Sequence, residues 1–359
     1  MPHDPSPPIA DPVTMCMRWF GPHDPVALAH VAQVPGVEGI VSSVSDVPAG
    51  QAWAAEQVAA LKDSVEVAGL RLEVIESIPV SEEIKLGDDV AEAHFDAWCE
   101  SLEAVASQGI KTVCYNFMPV SDWIRTDLAL ELADGSTTLA YAQSEVPAFE
   151  QQLLSGSAGN IRAWEHLDLS RFSELRDRYT ERGESGLWEA LGRFLERVTP
   201  VASSLGLRLG IHPDDPCWSV LGLPRIITSP AAMLRVCDLV DDAANGVTYC
   251  TGSLGCDPEN DLVTGARDLA KRVSFVHARN VKTTSEKTFH ESAHPTRYGQ
   301  VDLPAVLREL IDGGFRGPMR PDHGRMIWGE EGNPGYGLYD RSLGATYLLG
   351  VIEGLKARS

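Results

Sequence analysis

The property of this sequence that most restricts its fold is the alternation of short β-rich runs with longer helical segments. Eight runs rich in β-branched and aromatic residues occur along the chain. They are Met15–Trp19, Gly39–Val44, Arg71–Ser77, Lys111–Phe117, Leu207–His212, Gly246–Thr251, Val273–Asn280 and Gly317–Asp322. Strands that alternate with helices pair in parallel, because each helix carries the chain back to the same end of the sheet.

Helical segments are predicted in the intervals between these runs. They are Ala54–Ala68, Val90–Ser107, Gly186–Ser204, Pro230–Val240, Val263–Arg272 and Leu303–Asp312. Eight strands alternating with helices within 359 residues predict an α/β fold, the (β/α)8 TIM barrel. A doubly wound open sheet is the alternative, but no glycine-rich phosphate-binding turn follows the first strand.

Two segments fall outside this alternation. Residues 1–14 are rich in proline and acid and lack a basic patch followed by an apolar run, so we expect a disordered tail rather than a secretory signal. Residues 15–359 then form one barrel domain. A long segment of roughly 118–183 follows the fourth strand, and we expect an insertion that serves as a lid or an oligomer contact. A surface excursion without a role is the alternative.

The charge and cysteine content narrow the class of partner. With 30 basic and 51 acidic residues the chain carries a formal charge of −21, which repels nucleic acid and anionic membranes. No stretch approaches the roughly 20 consecutive apolar residues of a membrane span. Seven cysteines without small-domain spacing indicate reduced thiols and a cytoplasmic protein.

Metal-binding side chains end four consecutive predicted strands. The last four strands end in His212, Cys250, His277 and Asp322. The active site of a TIM barrel lies where its strands end, so these side chains should meet there. An isolated histidine or cysteine is usually structural, but imidazole, thiolate and carboxylate together suit a divalent transition metal. A metal held by four protein ligands can still bind substrate if its coordination expands to five or six. This favours Mn²⁺, and Fe²⁺, Zn²⁺ and Mg²⁺ are the alternatives.

Further polar residues near these strand ends are candidates for binding the substrate. Arg279 shares a strand face with His277, and a guanidinium can hold a carboxylate with two hydrogen bonds. Arg325 and Asn116 are also candidates. The segment from Phe289 to His294 is expected to be a loop in which His290 and His294 overhang the metal. The alternatives are an ion-pairing role for the arginines and a solvated loop for the histidines.

Several longer motifs carry a resemblance to a known family. They are RWFGPHDPV, TVCYNFMPVSDWIRTDL, HPDDP with LGLPRI, ANGVTYCTGS, FHESAH, RPDHGR and NPGYGLYDRSLGATYL, and they spread from Arg18 to about Leu349. The sequence resembles the mannonate dehydratases along nearly its whole length. The resemblance implies a metal-dependent TIM barrel that removes water from D-mannonate to give 2-keto-3-deoxy-D-gluconate, commonly with Mn²⁺, in hexuronate breakdown. It also implies that His212, Cys250, His277 and Asp322 are the metal ligands. Barrels of this resemblance often associate, so we expect a homo-oligomer, and the sequence is compatible with a dimer or a tetramer.

One position departs from the family pattern. After the second strand, where the family carries a His-His pair, this chain has Ser45 and Asp46. If Asp46 faces the metal, its charge disfavours an anionic substrate. This departure keeps open a barrel that acts on another sugar acid or has lost activity, and a metal-dependent isomerase or epimerase is a further alternative.

Dehydration of a sugar acid requires a base for the proton beside the carboxylate and an acid for the departing 3-hydroxyl. The candidates are His323 and either Tyr336 or Tyr339, and Asp322 contributes if the metal leaves its carboxylate partly available. Each candidate lies in the sequence near a strand end that carries a predicted metal ligand. An isomerase would instead move a proton without losing water.

Overall fold

The computed structural model describes residues 13–154 and 171–357 of the chain. Its strands are β1 Val13–Arg18, β2 Val37–Ser42, β3 Arg71–Glu76, β4 Thr112–Tyr115, β5 Asp127–Glu131, β6 Thr137–Ala142, β7 Arg208–Ile211, β8 Asn245–Cys250, β9 Val273–His277, β10 Asn280–Ser285, β11 Thr288–Ser292 and β12 Gly317–Arg320. Its helices are α1 Leu28–Val31, α2 Ala55–Glu66, α3 Glu82–Leu86, α4 Ala91–Ser107, α5 Val146–Leu154, α6 Phe172–Ser204, α7 Pro230–Leu239, α8 Thr251–Gly255, α9 Leu262–Leu269, α10 Leu303–Asp312 and α11 Leu338–Lys356.

Eight parallel strands close into a barrel. Their order around the barrel is β1, β2, β3, β4, β7, β8, β9 and β12, and β12 pairs with β1 to complete the ring. These are the eight predicted strands, so the TIM barrel is confirmed and the open sheet is excluded. Strand β1 begins at Val13, two residues before the predicted start, and the remainder of the predicted tail lies outside the described residues.

The barrel interior is filled by a small cluster of side chains that is separate from the main core. Its members are Cys16, Val41, Val74, Cys114 and Phe275. Neighbouring residues on the same strands, such as Met17, Ile40 and Ile75, belong to the larger core instead. This alternation follows from the two-residue period of a strand, which points successive side chains to opposite faces.

The helices around the barrel begin at recognisable caps. The Ser229 side chain accepts a hydrogen bond from the Ala232 amide at the start of α7, and Asp302 caps α10 in the same way. Helix α6 begins at Phe172 rather than at the predicted Gly186, with a bend at Gly183, whose φ is 65°. Within 13–154 and 171–357, no helix has the length and apolar character needed to cross a membrane.

The segment after β4 contributes to a second sheet beside the barrel mouth. Strands β5 and β6 form an antiparallel pair, and β6 continues through β11 to β10. The predicted loop from Phe289 to His294 is therefore wrong, because most of it is strand β11. Its alternation of buried Phe289 and Glu291 with half-buried His290 is the strand signal. Residues 155–170 of the predicted insertion lie outside the described residues.

Candidate active site

Four donor side chains lie together at the mouth of the barrel, where β7, β8, β9 and β12 end. The ligand atoms of His212, Cys250 and His277 are all within 4.8 Å of one another. Asp322 Oδ2 is 3.6 Å from His277 Nδ1 and 3.9 Å from Cys250 Sγ. The structure therefore brings together the four residues that the strand-end argument selected.

The hydrogen bonds of this cluster suit a divalent metal ion. Nδ1 of His212 lies 2.7 Å from the carbonyl oxygen of Pro213, so Nδ1 carries the proton and Nε2 is the nitrogen with a lone pair. That Nε2 atom lies 3.1 Å from His277 Nδ1. Two imidazole nitrogens, a thiol and a carboxylate so close together are a donor set for Zn²⁺, Mn²⁺ or Fe²⁺.

Asp322 is held as a carboxylate by two arginines. Arg320 Nη2 is 2.7 Å from its Oδ1, and Arg279 Nε is 2.7 Å from its Oδ2. Burial alone would raise the pKa of this carboxyl, but the neighbouring charges, Arg320 foremost, hold the pKa well below its usual value. The backbone of Asp322 has a φ of 54°, an uncommon conformation that turns the chain at the strand end.

A buried ion-pair network supports the cluster from the side of the second sheet. Arg279 contacts Asp215 and Glu291, each at 2.5 Å. Arg125, from the segment after β4, contacts the same two carboxylates at 2.6 and 2.7 Å. Burial would raise the pKa of Glu291, but Arg279 and the other neighbouring charges lower the pKa to about 2. Arg279 therefore pairs with protein carboxylates on three sides, counting Asp322.

His323 and Tyr336 form a hydrogen-bonded pair beside Asp322. Nε2 of His323 is 2.7 Å from the Tyr336 hydroxyl, and Nδ1 is 3.1 Å from Glu291 Oε1. Because Glu291 is ionised, it accepts the Nδ1 proton and leaves Nε2 unprotonated. Burial lowers the pKa of His323 and raises the pKa of Tyr336, so both groups are neutral near pH 7.

Glu76 and Arg320 also line the cavity, although they were not among the residues predicted from the sequence. Glu76 is the last residue of β3, and its Oε1 lies 3.4 Å from His277 Nε2. Arg320, the last residue of β12, lies 3.1 Å from Glu76 Oε2. The strand-end rule that selected the metal-type residues could have found both, had it been applied to the third strand and to cations.

Two predicted candidates lie away from this cavity and one lies within it. Tyr339 is 42% exposed and does not line the cavity, so of the two tyrosines only Tyr336 does. Arg325 pairs with Asp340 at 2.9 Å and borders a separate surface cavity. Asn116 does line the site.

The two histidines of the FHESAH motif do not overhang the metal-type cluster, that is, the four candidate metal ligands His212, Cys250, His277 and Asp322. Nδ1 of His290 lies 2.8 Å from the Glu291 carbonyl oxygen, and the residue is absent from the cavity lining. His294 is buried, with Nε2 2.8 Å from the Pro321 carbonyl oxygen. The His294 ring therefore contacts the backbone just before Asp322, and neither ring lines the cavity.

Ser45 and Asp46 also lie outside the cavity lining. Both residues are exposed, and the Ser45 hydroxyl is 3.3 Å from Asp46 Oδ1. Asp46 was expected to repel an anionic substrate only if its carboxylate faces the metal. That condition is not met in this structure.

A closed (β/α)8 barrel with such a donor set at its mouth is typical of metal-dependent TIM-barrel enzymes. Residues 13–359 match the family model described as D-mannonate dehydratase (UxuA). Mannonate dehydratases from Streptococcus agalactiae and Thermotoga neapolitana are each 46% identical to this chain, over 94% and 95% of it and 97% of their own lengths. The crystal structure of mannonate dehydratase from Streptococcus suis serotype 2 superposes with a TM-score of 0.88 at 42% identity, covering 96% of this chain and 95% of that one.

The chain therefore belongs to the D-mannonate dehydratase family. This membership confirms the predicted family and the prediction of a hydro-lyase enzyme.

Proposed function

We propose that this protein removes water from D-mannonate to give 2-keto-3-deoxy-D-gluconate. The observation that carries the proposal is a neutral His–Tyr pair, His323 and Tyr336, beside a compact set of metal-binding side chains. A dehydratase needs one group that takes a proton and another that gives one, within reach of the same substrate. The pair supplies both at one wall of the cavity.

The metal site consists of His212, Cys250, His277 and Asp322, and Mn²⁺ is the ion we propose. When bound, the ion supplies Lewis-acid stabilisation for the negative charge that develops on the substrate carboxylate. The buried arginines hold Asp322 ionised and aimed at the cluster. Arg279 contacts three protein carboxylates, so the role we assign to it is to position Asp322 rather than to clamp the substrate.

His323 is the base that takes the proton from C2 of the sugar acid. Its Nε2 carries a lone pair because Nδ1 donates to the ionised Glu291. Glu291 also stabilises the imidazolium that forms when the proton arrives, as the aspartate of a Ser-His-Asp triad does for its histidine. Burial favours the neutral form of His323 at the start, so the base is ready near neutral pH.

Tyr336 is the acid that protonates the departing 3-hydroxyl. Burial raises the pKa of its phenol, so the proton stays on oxygen until a stronger base forms in the cavity. The hydroxide that leaves from C3 is such a base. The hydrogen bond between Tyr336 and His323 then lets the proton taken from C2 replace the one that Tyr336 gave.

The proposal also covers the cellular location of the protein and its assembly. All seven cysteines are buried free thiols, which supports a cytoplasmic location. The sugar-acid substrate is the partner at the active site, and we propose a homo-oligomer, a dimer or tetramer, as the assembly. Light scattering of the purified protein measures that state, and a monomer at micromolar concentration would contradict it.

Product analysis tests the proposed reaction. The Mn²⁺-loaded protein is incubated with D-mannonate and, separately, with sugar acids that differ at C2 or C3, and the products are identified by NMR. We expect a 2-keto-3-deoxy acid from D-mannonate and little turnover of the stereoisomers. An epimeric sugar acid that retains all its hydroxyls would instead identify an epimerase, and no product from any of them would identify a barrel without this activity.

A further inference from the structure

The two ring nitrogens of His277 face different surroundings. Nδ1 faces the metal-type cluster, 3.1 Å from His212 Nε2 and 3.6 Å from Asp322 Oδ2. Nε2 faces the opposite way and lies 3.4 Å from Oε1 of Glu76. The edge-on ring of Phe275, centred 4.6 Å away, packs against the imidazole. Only one of the two nitrogens can therefore bind a metal shared with His212 and Asp322.

Glu76 is an ionised acceptor for the other nitrogen. Its two carboxylate oxygens lie 3.2 and 3.1 Å from Arg320 Nη2, which also contacts Asp322. A neutral imidazole carries one proton, and a carboxylate beside one nitrogen keeps that proton there.

We propose that Glu76 is a positioning residue that sets the tautomer of His277. The carboxylate accepts the Nε2–H, and this leaves the Nδ1 lone pair directed at the cluster of His212, Cys250 and Asp322. Carboxylates that hold a ligand histidine in this way increase its basicity and metal affinity. The inference rests on the proposed metal site and adds a residue from β3 to a site otherwise built from the last four barrel strands.

A competing arrangement uses the same atoms differently. Glu76, Cys114 and His277 also offer ligand atoms within 4.8 Å of one another, so a metal could bind on the Nε2 side. Two observations favour the positioning role. The Cys114 thiol accepts a hydrogen bond from Thr248 at 3.2 Å, inside the barrel core. The Nδ1 side of His277 also offers three further donors, His212, Cys250 and Asp322, whereas the Nε2 side offers two.

NMR of the zinc-loaded protein tests the tautomer directly. Zn²⁺ is diamagnetic, and nitrogen-15 labelling of histidine distinguishes a protonated ring nitrogen from a metal-bound one. We expect His277 to be protonated at Nε2 and coordinated through Nδ1. A His277 ring that is coordinated through Nε2, or protonated at Nδ1, would overturn the proposal.

Metal affinity gives the second readout, measured by competition with a chelator. We expect Glu76→Ala to weaken binding about 10- to 100-fold. We expect a smaller loss for Glu76→Gln, whose amide oxygen still accepts the Nε2–H without the charge. Glu73→Gln is the matched control, because Glu73 lies on the same strand and pairs with Arg71. Equal affinities for Glu76→Ala and the control would contradict the proposal.

These experiments separate this inference from the proposed reaction. If the wild-type protein binds zinc through His277 Nδ1 and loses affinity in Glu76→Ala, yet gives no product from D-mannonate, the positioning role holds and the substrate is wrong. If D-mannonate is dehydrated while affinity is indifferent to Glu76, the reaction holds and the positioning role is wrong. Should Glu76→Ala fail to fold, Glu76→Gln and the NMR of the wild type decide the question.

Discussion

The hydroxyl of Tyr336 lies 2.7 Å from Nε2 of His323, and the far side of the same imidazole contacts Glu291. All three side chains are buried. Glu291 belongs to β11 in the second sheet, whereas His323 and Tyr336 follow the last barrel strand. The proton-transfer pair is thus oriented by a residue outside the barrel.

Replacing either member of this pair should stop turnover without releasing the metal. We expect His323→Asn and Tyr336→Phe each to lower kcat on D-mannonate by about 10²- to 10⁴-fold, the contribution of a positioned acid or base. Tyr339→Phe is the matched control, because Tyr339 is exposed and outside the cavity. Steady-state kinetics with metal analysis checks this, and full activity in His323→Asn would remove it as the base.

Removing Arg279 should destabilise the fold strongly. Its guanidinium contacts Asp215, Glu291 and Asp322. Arg279→Ala removes one of the two arginines that each of these carboxylates contacts and leaves the buried network with an excess of negative charge, at a cost of about 3–5 kcal/mol. The exposed pair of Arg267 with Glu309 supplies the comparison, and Arg267→Ala should cost far less than Arg279→Ala, because solvent screens an exposed ion pair. Urea denaturation measures both, and similar losses would show that the buried network does not contribute as described.

The ionised state of Glu291 should make stability depend on acid pH. Its folded-state pKa, about 2, lies below the usual value of 4.5, so its contribution is complete above pH 4.5 and is lost as pH falls towards 2. Fully developed, the contribution is about 3 kcal/mol. The difference in unfolding free energy between the wild type and Glu291→Gln should therefore shrink below pH 4.5. A difference that stays constant with pH would contradict this.

The departure at Ser45 and Asp46 should be neutral for catalysis. Both side chains are exposed and neither lines the cavity, so restoring two imidazoles changes no contact with the site. We expect the double variant Ser45→His with Asp46→His to keep kcat/KM on D-mannonate within about threefold. Substitutions of exposed residues away from a functional site usually have small effects. A gain of tenfold or more would show that this loop reaches the substrate.

The barrel and its donor cluster were predictable because both follow from short-range patterns. A strand's end is marked by its own residues, and parallel closure brings consecutive strand ends together. The sequence alone therefore groups His212, Cys250, His277 and Asp322. Glu76 ends the third strand, outside the last four strands from which the donor cluster was predicted.

The rest of the site depends on contacts between distant parts of the chain. Arg125 reaches Glu291 across 166 residues, and nothing local in the sequence indicates that pairing. The β11 strand was mistaken for a loop, because it is short and its partner β6 lies in the segment after β4. That pairing decides that Glu291 enters the site and His290 does not.

The most direct test of the account is activity after metal removal and restoration. The protein is stripped with a chelator, titrated with Mn²⁺, and assayed on D-mannonate while bound metal is quantified. We predict no 2-keto-3-deoxy acid from the stripped protein, and activity that rises in parallel with binding up to one ion per chain. Full product formation without metal, or one bound ion per chain without product, would contradict the central claim that this barrel is a metal-dependent mannonate dehydratase.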